Sequence, residues 1–217
     1  MQVNISINEQ IFSAVAEKIS KAEDFLSLED WVHLDISDGI FSTTKTWNNP
    51  EDLGTIKTNL NLEAHLMVEN PEGILKNWLS ALRQATTGKI RVIVHFEVMS
   101  EPAYILAECK SFGAESGLAL RPNTSPELVS VYLSSFNLIL VLAVMPGKSG
   151  QIWQPRVLGT ISFLRTKNKD VIMEVDGGIT PLTARSAKDA GASALVSGSY
   201  VWGNPSPLAA YQELSQI

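Results

Sequence analysis

Cysteine is almost absent from this chain of 217 residues. Cys109 stands alone, so no intrachain disulfide can form, and a reducing, cytoplasmic setting is expected. Long apolar runs are missing too. The longest, residues 138–145, falls far short of the roughly 20 residues that span a bilayer. The N-terminal stretch carries neither a basic region nor a long apolar block, so no secretory signal is expected. There is no lysine or arginine cluster, and the formal net charge is -6, which argues against nucleic acid and anionic membrane surfaces as partners. An anionic small molecule remains possible, held by local donors rather than drawn in by the field of the whole chain. Histidine is scarce as well, with three in all, and that makes each position informative.

Hydrophobic residues make up 45% and charged residues 18%, the balance of a globular protein able to bury a full core. The length suits one larger domain covering 1–217. Along the chain, branched and apolar strands alternate with helical spacing. Strands are expected at 3–7, 31–36, 62–68, 90–96, 117–120, 138–144, 171–175 and 194–196. Helices are expected at 11–26, 101–112, 155–167 and 207–214, and others open at Asn49-Pro50, Asn70-Pro71, Ser125-Pro126 and Thr180-Pro181, each a capping side chain before proline. Gly113 and Gly191 stand where left-handed caps end helices. Eight strand–helix units with nearly continuous apolar strands predict a parallel α/β sheet closed into a (β/α)8 TIM barrel, rather than a doubly wound sheet with fewer strands.

Polar residues interrupt those strands at few places. In His33-Leu34-Asp35-Ile36-Ser37-Asp38-Gly39, alternation puts His33, Asp35 and Ser37 on one face, and Asp38-Gly39 reads as the turn that ends the strand. An edge strand facing water would show the same alternation. However, His65 falls late in the third strand and Asp176 at the end of the seventh, and sites in such barrels lie at the C-terminal strand ends. Inward polar groups are costly unless paired. Two histidines and two aspartates at one mouth therefore suggest a hydrogen-bonded network or a divalent metal, and the mixed nitrogen and oxygen set suits zinc, iron(II), manganese or cobalt. Glu174 shares the face of Asp176, as an orienting partner or as part of a core ion pair. His95 lies on the fourth strand with no role assigned.

Glycines mark a second locus. Gly147-Lys148-Ser149-Gly150 follows the sixth strand, Gly177-Gly178 the seventh and Gly198-Ser199 the eighth. One glycine pair alone marks a tight turn. Three sets on adjacent loops point to a phosphate cradle built from backbone N–H groups.

Five blocks together carry a family likeness: residues 33–39, His-Leu-Met-Val-Glu-Asn-Pro-Glu at 65–72, Val-Met-Pro-Gly-Lys-Ser-Gly-Gln at 144–151, Glu-Val-Asp-Gly-Gly-Ile at 174–179, and Gly-Ser at 198–199. In order and spacing the chain resembles the ribulose-phosphate 3-epimerases. The resemblance implies one divalent metal ion bound by His33, Asp35, His65 and Asp176, with Asp35 and Asp176 also the acid/base pair. It implies substrate contacts from Ser6 (with Phe12 at the family distance after it), His65, Met67, Gly147, Lys148, Ser149, Gly150, Gly177, Gly178, Gly198 and Ser199. Inverting a carbon beside a ketone removes its proton from one face and returns one to the other, which two carboxylates flanking a planar enediolate can do. Each would keep one oxygen free for that transfer.

The implied reaction interconverts D-ribulose 5-phosphate and D-xylulose 5-phosphate, in a homo-oligomer. Departures bear on substrate choice and rate: Ser37 and Leu142 replace family methionines, leaving Met67; residues 41–44 replace Phe-Val-Pro-Asn; Met145, Lys148 and Ser149 alter the sixth loop. A hexulose-6-phosphate 3-epimerase and a non-catalytic phosphate-ligand-binding barrel are the competing readings. A related decarboxylase or aldol enzyme is disfavoured, because no Asp-x-Lys-x-x-Asp cluster occurs.

Overall fold

The computed structural model describes residues 1–217. Eight parallel strands close in chain order: β1 (Gln2–Ile7), β2 (Trp31–Ser37), β3 (Asn61–Met67), β4 (Ile90–His95), β5 (Glu115–Leu120), β6 (Leu138–Leu142), β7 (Ile172–Asp176) and β8 (Ala194–Ser197). β8 returns to pair with β1, which leaves no open edge. The fold is the expected (β/α)8 barrel.

Around it lie α1 (Phe12–Glu23), a 3₁₀ helix (Pro50–Thr55), α2 (Pro71–Ala85), α3 (Pro102–Ser111), α4 (Pro126–Ser130), α5 (Val157–Lys167), α6 (Pro181–Ala190), α7 (Ser199–Trp202) and α8 (Pro207–Ser215). Asn70 caps α2 by accepting from the Gly73 amide, and Thr180 caps α6 in a box with Thr183. Gly113 (φ +62) and Gly191 (φ +110) are the left-handed residues expected after α3 and α6. Two expected helices shrink. The segment from Pro50 makes a single 3₁₀ stretch, because Gly54 and β-branched Thr55 and Ile56 follow within one turn. Ser125 turns its hydroxyl to the Glu127 carboxylate instead of capping, and α4 runs only 5 residues. The short α7 after β8 lacks any periodicity that would announce it.

The strands separate two environments. Outward side chains such as Leu34, Ile36, Leu62 and Val92 join the helices in one large apolar core. Inside the barrel, Ile93, Ala119, Leu138, Leu140, Leu142 and Val196 form a small apolar cluster. The rest of the interior, towards β1–β4 and β7, is polar: Asn4, His33, Asp35, Glu63, His65, Arg91, His95 and Glu174 are all buried. That asymmetry positions the site.

Candidate active site

Register sets the first contacts. Ser6 of β1 lies beside His33 of β2, and Asp35 of β2 beside His65 of β3. Because side chains alternate, all four project into the barrel near the C-terminal strand ends. Asp176 closes β7 opposite them. The ligating atoms of His33, Asp35, His65 and Asp176 lie within 4.8 Å of one another. In detail, His33 Nε2 is 3.3 Å from Asp35 Oδ1 and 3.3 Å from His65 Nδ1, and His65 Nδ1 is 3.2 Å from Asp35 Oδ1.

This donor set fits a divalent cation. Two carboxylates and two imidazole nitrogens meet at one point, while no lysine or arginine pairs with either aspartate. The geometry answers the need for positive charge only through protons. Burial opposes a charge on His33, yet hydrogen bonds to Asp35 and Glu63 raise its pKa well above the ordinary value. Burial likewise opposes ionisation of Asp35, but His33 and His65 hold it far below the usual carboxylate range. Asp176 has no such partner: removal from water and the nearby Asp35 charge push it up to about 7. Burial drives His65 down to about 4. This buried cluster could hold a metal ion, and the imidazole backing matches such sites, since Glu63 Oε1 accepts from His33 Nδ1 at 2.8 Å and turns Nε2 to the centre.

The second oxygen of Asp35 carries hydrogen bonds of its own. Oδ2 accepts from Ser6 Oγ at 2.7 Å and from Asn8 Nδ2 at 3.2 Å. Asn8 also donates to the Gly147 carbonyl at 3.0 Å, tying the β6 loop to Asp35. Ser37, on the same strand face, turns aside to bond the Ser42 hydroxyl and the Thr44 carbonyl, and so braces the 41–44 loop.

Above the cluster opens a cleft lined mainly by polar residues and glycines. Ser6, Asp35, Met67 and Asp176 form its floor, with Leu142 beside them. Gly147, Lys148, Ser149 and Gly150 wall one side; Gly177, Gly178, Gly198 and Ser199 wall the other. His65 alone of the expected contacts stays behind the floor, fully buried. The glycines are required here. Gly177 (φ +102) would press a Cβ to 2.4 Å from Val144, and Gly147 (φ +116) would meet Ser42 Oγ at 2.6 Å. The amides of Gly150 and Gly178 donate to no group of the chain.

Several further groups join the site, of which only Glu174 was given a candidate role from the sequence. Asn4 donates to Glu63 Oε1 at 2.8 Å and Glu174 Oε1 at 2.6 Å, which makes Glu174 part of the network below His33 rather than a partner of Asp176. Burial and the Glu63 charge raise Glu174 well above its usual pKa. His95 Nε2 lies 2.9 Å from His65 Nε2, and Glu97 Oε2 lies 3.0 Å from His95 Nδ1. The spacing His95-Phe96-Glu97 repeats that of His33-Leu34-Asp35 and was the available signal.

The fold and the mouth together define an enzyme barrel of the (β/α)8 class with a carboxylate–imidazole centre. Residues 2–202 match the ribulose-phosphate 3 epimerase family. A ribulose-phosphate 3-epimerase of Chlamydia pneumoniae is 34% identical over 181 residues, 80% of this chain and 76% of that protein. A chloroplastic ribulose-5-phosphate-3-epimerase of Arabidopsis thaliana is 34% identical over 209 residues, 93% and 71% of the two chains. The solved 3-hexulose-6-phosphate synthase from Salmonella typhimurium superposes at TM-score 0.70 over 100% of this chain and 97% of that one; at 12% identity the likeness is one of fold. The chain belongs to the ribulose-phosphate 3-epimerase family and is accordingly an epimerase of the isomerase class. No helix is long and apolar enough to cross a membrane.

Proposed function

We propose that this protein inverts C3 of a ketose phosphate, interconverting D-ribulose 5-phosphate and D-xylulose 5-phosphate, with His33, Asp35, His65 and Asp176 holding a divalent ion (zinc, iron(II), manganese or cobalt). The observation that carries this reading is the convergence of those four donors within 4.8 Å at the floor of a glycine-walled cleft. Such an ion supplies Lewis-acid stabilisation of negative charge developing on the substrate carbonyl oxygen.

The chain's own residues do the rest. One of Asp35 and Asp176 takes the C3 proton from one face, and the other returns a proton to the opposite face of the flattened enediolate. Ser6 and Asn8 keep Asp35 in one orientation throughout. Phosphate on the glycine loops, away from C3, fixes the angle at which the carbon meets the two acids. The backbone donors of Gly150 and Gly178 supply what a lysine cluster would otherwise supply. The expected homo-oligomer belongs to this reading and is read by sedimentation. So does the reducing cytoplasm, supported by the lone, buried Cys109 thiol, which burial pushes up to about 12.

Incubation of cobalt-loaded protein with D-ribulose 5-phosphate in heavy water tests the reaction. Deuterium is expected at C3, together with xylulose 5-phosphate. Absence of label would favour a binding barrel without turnover, and faster labelling of a hexulose 6-phosphate would move the substrate to the competing epimerase.

A further inference from the structure

His33 and His65 are supported in different ways. His33 leans directly on the Glu63 carboxylate. His65 has no carboxylate behind it. Its outer nitrogen meets another imidazole, His95 Nε2, at 2.9 Å, and only beyond that ring does Glu97 follow. Two neutral imidazoles meeting nitrogen to nitrogen share one hydrogen, so one ring donates and the other accepts. Which does which is decided at the far end of the chain of contacts.

An ionised carboxylate can only accept. Glu97 Oε1 accepts the Arg121 backbone N–H at 2.8 Å and the Thr124 hydroxyl, which fixes its orientation. Oε2 must then take its hydrogen from His95 Nδ1. Neutral His95 keeps a lone pair on Nε2, which accepts from His65 Nε2. That leaves the lone pair of His65 on Nδ1, the atom facing Asp35 and His33. Water cannot intervene: His95 is fully buried, with its ring 5.0 Å from His65 and 4.5 Å from Phe41. The Arg121 guanidinium lies 3.9 Å over Phe41 and closes the stack.

We propose that Glu97 and His95 are positioning residues that set the tautomer of His65 and so present its Nδ1 to the metal ion. The inference rests on the reading of His33, Asp35, His65 and Asp176 as metal ligands. It also explains why the loop after β5 is clamped to the end of β4: the Arg121 amide and Thr124 hold the carboxylate whose charge gives the relay its direction.

Glu97→Gln tests it at nearly constant size. The Arg121 amide can only donate, so the carbonyl of the introduced carboxamide must stay with it, and the carboxamide N–H then faces His95 Nδ1. The relay reverses, and the hydrogen of His65 is driven onto Nδ1. Cobalt(II) affinity, measured by competition with a chelator, is expected to fall about 10- to 100-fold, with a changed visible spectrum of the bound ion. His95→Gln, whose terminal carbonyl can still accept from His65, is expected to stay within a few-fold of wild type. In a His95→Leu background, adding Glu97→Gln is expected to have no further effect. Nitrogen-15 spectra of the three histidines are expected to show the wild-type His65 hydrogen on Nε2. Equal cobalt affinity and spectrum in wild type and Glu97→Gln, or a wild-type His65 hydrogen on Nδ1, would overturn the relay alone. A wild-type protein that takes up no cobalt(II) would overturn the metal-site reading and the relay with it.

Discussion

Asp35 and Asp176 sit a few ångströms apart and yet live in opposite surroundings. Two imidazoles and the hydroxyl of Ser6 face Asp35, whereas Asp176 has no hydrogen-bonded cation, and burial with the nearby Asp35 charge pushes it up to about 7. Environments that push two carboxyls apart are what an acid/base pair needs. Asp176→Asn is expected to lower both epimerisation and C3 deuterium exchange by about 10²- to 10⁴-fold, with thermal unfolding close to wild type. Near-wild-type turnover would remove Asp176 from the proton path. At this scale the sequence was legible where a polar residue broke an apolar strand at period two, as His33, Asp35, His65 and Asp176 do. It was silent on Asn8, which stands past the end of β1, and on Glu63, whose partner His33 is 30 residues away. Glu63 does share the face of His65 at period two, but its pairing with His33 comes from the register of β2 and β3, and the Asn8 contacts come from loops that meet over the mouth.

Among the elements, strands were the most readable, because a strand buried on both faces must be apolar nearly throughout. The turns that depend on neighbours were less so. β6 stops at Leu142 although apolar residues continue to Met145, since the chain must swing outward at Pro146-Gly147 to reach over the cleft. The β6 and β7 loops then interlock, with Val144 packed against the backbone of Gly177. Gly177→Ala is expected to destabilise the protein by about 1–3 kcal/mol, because φ is +102 and the new Cβ would fall 2.4 Å from Val144. Coupled with Val144→Ala, part of that loss is expected to return, since the steric portion is relieved while the backbone strain remains. Urea unfolding of the two variants measures the difference, and a Gly177→Ala protein as stable as wild type would refute the interlock.

Across the whole molecule, one buried ladder of charge runs through the barrel to the mouth. Glu115 pairs with Arg91, Arg91 with Glu63, and Glu63 with His33 at the candidate metal centre. Arg91 is 2% exposed, and its guanidinium lies 4.0 Å over the Trp31 ring, so water cannot replace it. Burial opposes the charge on Glu63, and Arg91 followed by His33 holds its pKa down to about 2. Arg91→Met keeps the apolar stem but strands that carboxylate without its cation, a loss of about 3–5 kcal/mol expected in urea unfolding at pH 7. The pH dependence follows from the sign of the shift. A depressed carboxyl contributes stability that is present above the unfolded value of about 4.5 and lost as pH falls towards 2. The variant has less of that contribution to lose, so the gap between wild type and Arg91→Met should narrow on going from pH 7 to pH 3. Adding Glu63→Gln to Arg91→Met should restore part of the stability at pH 7 by removing the stranded charge. It would also take the carboxylate from behind His33, so cobalt(II) affinity should fall below that of wild type while the fold recovers. A double variant that regained stability and bound cobalt(II) as wild type does would mean that the ladder supports the barrel alone and that its upper rung has no part in orienting the ligand.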